Sequence, residues 1–164
     1  MISFDEFIKK WNGKSIDWDG IYPNQCFDLA HAYIYEVLGF TDAKIIAHPA
    51  AYQIFTEFSE SNYFTKIFNT PTNVPQKGDI VVFGTTIGSY GHVCIFTDGN
   101  VNSFNSFDAN WPVGSLPHIQ KHNYNGVLGW LRVIPQAGID YKAKYEKLLS
   151  LTKQVKDILN LAEA

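Results

Sequence analysis

Four short β-rich runs lie close together in the second half of the chain. They are DIVVFG (79–84), GHVCIFTDG (91–99), VNSFNSFD (101–108) and GVLGWLRV (126–133). Gly, Asn and Pro residues bound each run, as is typical of strands that end in tight turns. This half of the chain therefore predicts a small antiparallel sheet.

Apolar residues at helical spacing dominate the half that precedes these runs. The first pattern covers residues 4–11 before Gly13, and the second covers 27–38 before Gly39. A third helix is predicted around HPAAYQIFTEF (48–58). Helices followed by strands predict the α+β class.

Residues 136–164 differ from the rest and are predicted to be a linker and a C-terminal helix beyond a main domain of residues 1–135. After Gly138 the segment has no Gly or Pro, and apolar residues recur in a heptad pattern from Tyr141 to Ala162, with the polar Thr152 inside it. Such a helix either packs on its own domain or pairs with a second copy or a partner chain.

Charge and composition exclude several classes of function. The formal net charge is −3 and no basic block is present, which argues against binding to nucleic acid. No run of 18 apolar residues could form a transmembrane segment, and the N-terminal residues lack the apolar stretch of a secretory signal. The two cysteines have no metal-binding spacing, so we expect free thiols.

Cys26 has the sequence context of a reactive cysteine. It lies where a helix is predicted to start, and Asn24, Gln25 and Asp28 around it are polar. The free N–H groups of a helix N-terminus stabilise a thiolate, which is the nucleophilic form. Cys94, inside the apolar run HVCIF, is predicted to be a buried structural residue.

His92 is the strongest candidate for a base that activates Cys26. It follows Gly91 at the start of a predicted strand, where a small neighbour allows close approach. His31 lies five positions along the helix from Cys26 and points elsewhere. The contexts of the other histidines carry no further signal; these are His48, His118 and His122.

A catalytic imidazole needs an acceptor that fixes its tautomer and orientation. The cluster FDANW offers Asp108 and Asn110, and either side chain could reach the far ring nitrogen of His92. The residue types alone leave this choice open.

Five segments in order resemble the CHAP domain, the cysteine- and histidine-dependent amidohydrolase/peptidase module, in particular those of bacteriophage endolysins and tail-associated lysins. They are DWDGIYPNQCFDLAHAY, VPQKGDIVVF, GHVCIF, FDANW and VLGWLRV, spread over residues 1–135. The resemblance implies a papain-like fold with Cys26 as nucleophile and His92 as general base. It also implies an orienting role for Asp108 and Asn110. Many relatives have Glu at the first of these positions, and Asp108 is one methylene shorter.

Several members of this family bind calcium at the turn before the nucleophile, with the pattern Asp-x-Asp-x6-Cys-x-Asp. The residues at that spacing here are Asp17, Asp19, Cys26 and Asp28. The backbone carbonyls of Ile21 and Pro23, with water, would complete the six to eight oxygens that calcium prefers. The alternative is a solvated acidic turn in which Asp28 faces solvent.

The resemblance implies hydrolysis of an amide bond in bacterial peptidoglycan. The reaction expected of a cysteine nucleophile passes through an acyl-enzyme, in which the Cys26 N–H would stabilise the oxyanion and the Gln25 side chain could add a donor. An endopeptidase is favoured over an N-acetylmuramoyl-L-alanine amidase. Tyr22, Trp111 and Trp130 are expected to line the cleft. The alternatives are an NlpC/P60-type peptidase and a non-catalytic wall-binding or virion module. A lysin of this kind would stay in the host cytoplasm until lysis or travel in the virion.

Overall fold

The computed structural model describes residues 1–41, 46–59, 62–135, 150–153 and 155–156. The chain divides into two compact units, Met1–Ile134 and Pro135–Ala164. In the second unit, 150–153 and 155–156 are helical and exposed. Most of the predicted C-terminal helix lies outside the described residues, so its extent and its proposed pairing stay predictions.

The described residues of the first unit form three α-helices: α1 (Phe4–Trp11), α2 (Cys26–Glu36) and α3 (Gln53–Thr56). α1 begins at a capping box, in which the Ser3 hydroxyl accepts from the Glu6 N–H and the Glu6 carboxylate accepts from the Ser3 N–H. α3 has four residues and is much shorter than the helix predicted over 48–58. No helix among the residues that the structure describes is long and apolar enough to cross a membrane.

In the part of the chain that the structure describes, six antiparallel strands form one sheet, which confirms the α+β prediction. The strands are β1 (Phe64–Phe68), β2 (Ile80–Phe83), β3 (His92–Gly99), β4 (Ser103–Asp108), β5 (His118–Asn123) and β6 (Val127–Val133). Their order across the sheet is β1-β6-β2-β3-β4-β5. The four predicted runs became β2, β3, β4 and β6, whereas β1 and β5 were not predicted. β1 lies in the half of the chain that was interpreted as helical.

Both faces of the central strands are buried, which explains the continuous apolar run of β2. Side chains alternate between the faces. On one face the core includes the helices together with Ile80, Val82, Val93 and Ile95. On the other face, Val81, Phe83, Cys94 and Trp130 form a second apolar cluster.

Packing of α2 against β3 positions the site. Cys26 is the first residue of α2 and His92 is the first residue of β3. The N-terminus of the helix and the start of the strand therefore bring together two residues that are 66 positions apart in the sequence.

Candidate active site

Cys26 occupies the first position of α2, as the sequence predicted, and its side chain is partly exposed in a cleft. The Asp28 carboxylate accepts a hydrogen bond from the Gln25 N–H (2.8 Å) and so caps the helix start. The remaining N–H groups of the first turn and the helix dipole favour negative charge at this end. Both cysteines are free.

His92 and Cys26 line the same cleft, close enough for the thiol to contribute to the raised pKa of the imidazole. Only 4% of His92 is exposed. Gly91, which precedes it, has a φ of +66°, and a Cβ there would collide with the Phe83 carbonyl oxygen and crowd Tyr52. The prediction that a small residue allows close approach at this position is therefore confirmed.

Asp108, at the end of β4, is the partner of His92. Its Oδ1 lies 2.7 Å from His92 Nε2, and it is fully buried. The shorter aspartate thus reaches the imidazole. Asn110 does not make this contact, since its Oδ1 accepts from the Gly114 N–H (2.6 Å) and its own N–H donates to Ser115.

The charges in this group reinforce one another. Burial raises the pKa of Asp108, but the charge of His92 and hydrogen bonds from His122 and His92 outweigh burial and hold that pKa below its ordinary value. An ionised Asp108 accepts the Nε2–H of His92, which leaves Nδ1 for the Cys26 thiol. Burial lowers the pKa of His92, yet Asp108 and Cys26 together raise it to about 10. These interactions therefore favour a protonated His92 beside an ionised Asp108.

This coupling predicts how stability depends on pH. A group with a raised pKa in the folded state stabilises the fold fully below its unfolded pKa, near 6.5, and loses that contribution as the pH rises to about 10. We expect the difference in the free energy of unfolding between the wild type and His92→Gln to decrease steadily as the pH rises from about 6.5 to about 10. Denaturant titrations from pH 6 to 10.5 measure it, and His118→Gln is the control. A difference independent of pH would contradict a charged His92.

An open cleft of about 450 Å³ runs past the Cys26–His92 pair. Tyr22 and Trp111 line it, as predicted, and so do Gln25 and Asn110. The prediction for Trp130 is wrong. Only 1% of Trp130 is exposed, because it packs in the apolar cluster on one face of the sheet.

Gln25 lines the cleft, but its side-chain amide donates to the Ile21 carbonyl (3.3 Å). In this arrangement the amide is engaged by Ile21 and not by an oxyanion at Cys26. Its predicted role as an oxyanion donor stays a proposal that requires the side chain to leave Ile21.

The acidic turn before Cys26 brings Asp17, Asp19 and Asp28 together, with one carboxylate oxygen from each within 4.8 Å of the others. Calcium binds oxygens at about 2.3–2.6 Å, so oxygens on opposite sides of one ion are about 5 Å apart. The donor set is hard oxygen only, and it fits that ion. The alternative with Asp28 facing solvent is wrong, since Asp28 is 2% exposed.

The backbone holds this turn in place. Asn24 closes it by donating its N–H to the Ile16 carbonyl and accepting the Ile16 N–H on its side chain. Burial raises the pKa of Asp28, against hydrogen bonds from the backbone N–H groups of Trp18 and Gln25. Asp19 and Asp17 add to the rise, and a bound cation would relieve that repulsion. The exposed residues Ile21 and Pro23 lie in the same turn.

His122 is the site residue that the sequence interpretation missed. Its Nε2 lies 2.7 Å from Asp108 Oδ2, and it is buried on β5. The available signal was alternation along HIQKHN, with His118, Gln120 and His122 pointing inward and their neighbours exposed. Those inward residues are polar, so a search for apolar alternation passes over the strand.

Comparisons with known proteins agree with the resemblance. The family model of the CHAP domain matches residues 16–110. The chain is 32% identical to Endolysin PlyTW of Staphylococcus phage Twort over 138 residues, which are 78% of this chain and 29% of PlyTW. It is 33% identical to Endolysin LysK of Staphylococcus phage K over 151 residues, 88% of this chain and 29% of LysK. This chain therefore spans less than a third of the length of these relatives.

A solved structure is also similar. The crystal structure of a wild type endolysin, LysIME-EF1, matches with a TM-score of 0.66 at 25% identity. The match covers 85% of this chain and 68% of that chain. The predicted fold and family resemblance are thereby confirmed.

Proposed function

This chain belongs to the CHAP domain family, and we propose that it hydrolyses an amide bond in the peptide part of bacterial peptidoglycan with Cys26 as its nucleophile. The observation that supports this most is that Cys26 and His92 line one open cleft, where His92 is hydrogen-bonded to the buried Asp108. The similar proteins are named endolysins, which fits an enzyme that reaches the wall at lysis or from the virion.

The proposed reaction follows cysteine-hydrolase chemistry. The Cys26 proton moves to His92, and the thiolate attacks the carbonyl carbon to form a C–S bond. The Cys26 N–H at the helix start stabilises the oxyanion. When the C–N bond breaks, His92 gives its proton to the leaving amine. Water, deprotonated by His92, then cleaves the thioester, which releases a carboxylic acid and restores the thiol.

Within this reaction class we propose an endopeptidase rather than an N-acetylmuramoyl-L-alanine amidase. The described residues that line the cleft include no Asp, Glu, Lys or Arg, and Ala50, Ala51 and Gly88 make parts of its wall small and neutral. Such a lining suits short uncharged residues on both sides of the bond. A glycan beside the bond would call for more polar groups to meet its hydroxyls.

A gel overlay of purified cell walls tests the proposed function. The refolded chain should leave a cleared band, and Cys26→Ala should leave none. Wall binding without clearing by the wild type would contradict the enzyme and favour a binding module.

Residues 136–164 stay a proposed contact for a second copy or a partner chain.

We also propose that calcium binds Asp17, Asp19 and Asp28, with the carbonyls of Ile21 and Pro23 as further ligands. The ion would hold the turn that leads into α2 and so keep Cys26 in its position relative to His92. Its role here is structural, and the hydrolytic steps belong to the residues of the chain itself.

Removal of calcium is expected to destabilise the protein and lower its activity. An ion that binds only the folded state, at roughly 100-fold excess over Kd, stabilises by about 2.7 kcal/mol. Thermal unfolding with chelator, and after calcium is restored, measures this. Asp19→Ala should abolish the response, whereas Asp5→Ala, an exposed carboxylate elsewhere, should keep it. Superimposable curves with and without chelator would contradict the calcium site.

A further inference from the structure

His122 projects from β5 into an aromatic enclosure behind the catalytic pair. Its Cα pairs with that of Phe104 on β4, and 7% of the residue is exposed. Its ring centroid lies 5.2 Å from Phe83, 5.4 Å from Phe104 and 5.4 Å from Trp111. An imidazole in such surroundings needs a polar partner, and it has one in Asp108.

We propose that His122 is a positioning residue of the active site, which donates its Nε2–H to Asp108 Oδ2 and so aims Oδ1 at the catalytic His92. This inference rests on the proposed function. It adds a second imidazole to the Cys26–His92–Asp108 group and assigns it a task apart from proton transfer to the substrate.

The inference rests on the two oxygens of the Asp108 carboxylate accepting hydrogen bonds from different donors. Oδ1 accepts from His92 at 2.7 Å, while Oδ2 accepts from His122 at 2.7 Å and from the Ser106 hydroxyl at 3.2 Å. With Oδ2 held from two sides, the carboxylate cannot turn about its last torsion. Oδ1 therefore stays in line with His92.

The alternative of a metal ion shared by these residues fits the distances less well. Ligand atoms of Cys94, Asp108 and His122 lie within 4.8 Å of one another. However, 2.7 Å between His122 Nε2 and Asp108 Oδ2 is the length of a charge-assisted hydrogen bond. Two ligands of one tetrahedral ion, each about 2 Å from it, would be more than 3 Å apart.

Three titratable groups in the described part of the chain face His122. Asp108 faces it from β4, and His92 and Cys94 face it from β3. Burial raises the pKa of the Cys94 thiol well above its usual value, so that residue stays neutral. His122 therefore acts on the His92–Asp108 pair, and the hydrogen bond it donates helps to keep Asp108 ionised.

Two amide substitutions at His122 distinguish the effect of an N–H donor at the position of Nε2 from the effect of a polar side chain that has no donor there. In His122→Gln the amide nitrogen can reach the place of Nε2. In His122→Asn it stops at the place of Nδ1, short of Asp108. His118→Asn makes the same change on the same strand, at a residue that contacts Leu116 and Gln120 instead.

We expect His122→Asn to lower kcat for wall hydrolysis about 10- to 100-fold with KM unchanged. The acid limb of its pH profile should move to higher pH, since Asp108 becomes easier to protonate. His122→Gln should keep most of the wild-type kcat and the wild-type position of the acid limb. His118→Asn should change neither quantity. Ser106→Ala, which removes the weaker donor to Oδ2, should shift the limb in the same direction by less.

Histidine-selective ¹⁵N NMR gives a readout that does not depend on activity. The pKa of His92 should be lower in His122→Asn than in the wild type and close to wild type in His122→Gln. If the wild type cleaves no wall, the proposed function fails, while this titration still tests the link from His122 to His92. If His122→Asn does not fold, Ser106→Ala and His122→Gln decide. The inference is overturned if a folded His122→Asn keeps the wild-type kcat and His92 titration, or if Gln and Asn lose activity equally.

Discussion

Cys26→Ala is expected to lower the rate of wall hydrolysis by roughly 10³-fold or more, because it removes the proposed nucleophile and Cys26 is the one cysteine among the described residues that line the cleft. The thiol is partly exposed at the cleft, so its loss leaves little unfilled space and the fold should stay intact. Turbidity decrease of purified walls measures the rate, and circular dichroism with thermal unfolding checks the fold.

Cys94 supplies the matched control for that substitution. It is fully buried in β3, so Cys94→Ala should lower stability while retaining hydrolysis. Iodoacetamide should modify only Cys26 in the native protein and inactivate it. Full activity after stoichiometric alkylation of Cys26 would contradict its role as nucleophile.

Asp108→Asn is expected to lower kcat by roughly 10²- to 10⁴-fold and the free energy of unfolding by about 1–3 kcal/mol. The amide keeps the shape but carries no charge, and it cannot accept from two imidazoles on both of its polar atoms. One of His92 and His122 must then adopt the other tautomer or lose its partner. Loss of the correct His92 tautomer removes the proton acceptor for Cys26.

Asp98→Asn is the control for this change, because Asp98 is an exposed aspartate at the far end of β3 that bonds Asn105. It should leave both rate and stability within the error of the wild type. Steady-state rates and chemical denaturation of both variants measure the effects. An Asp108→Asn protein as active as Asp98→Asn would show that the carboxylate is dispensable.

The parts of the site that were predicted from sequence are those with a local signal. Cys26 follows a polar turn and starts an apolar helical pattern, and His92 follows a glycine and starts an apolar strand. Each residue type is chemically distinctive and lies at the boundary of an element. The choice between Asp108 and Asn110 had no such signal, because Asp and Asn are both common in turns, and the sequence does not show that β4 extends to Asp108 and ends before Asn110.

The missed parts depend on contacts between distant segments. β5 turns the polar side chains of His118, Gln120 and His122 inward, and His122 finds its partner in the buried carboxylate of Asp108 on the neighbouring strand. β1 is an edge strand beside β6, and its register is set by residues 129–133. Trp130 was assigned to the cleft on residue type alone, and the alternation of β6 places it in the core instead. Patterns along the chain do not contain these pairings.

Mass spectrometry of the fragments released from purified cell walls shows which bond the protein cleaves and whether Cys26 is needed. We expect wild-type protein to release peptides with a new amine and a new carboxylic acid, one water added per cut, and we expect Cys26→Ala and His92→Gln to release none. Products with intact peptides and new reducing sugar ends would contradict an amide hydrolase, and release of the same peptides by Cys26→Ala would contradict the cysteine nucleophile.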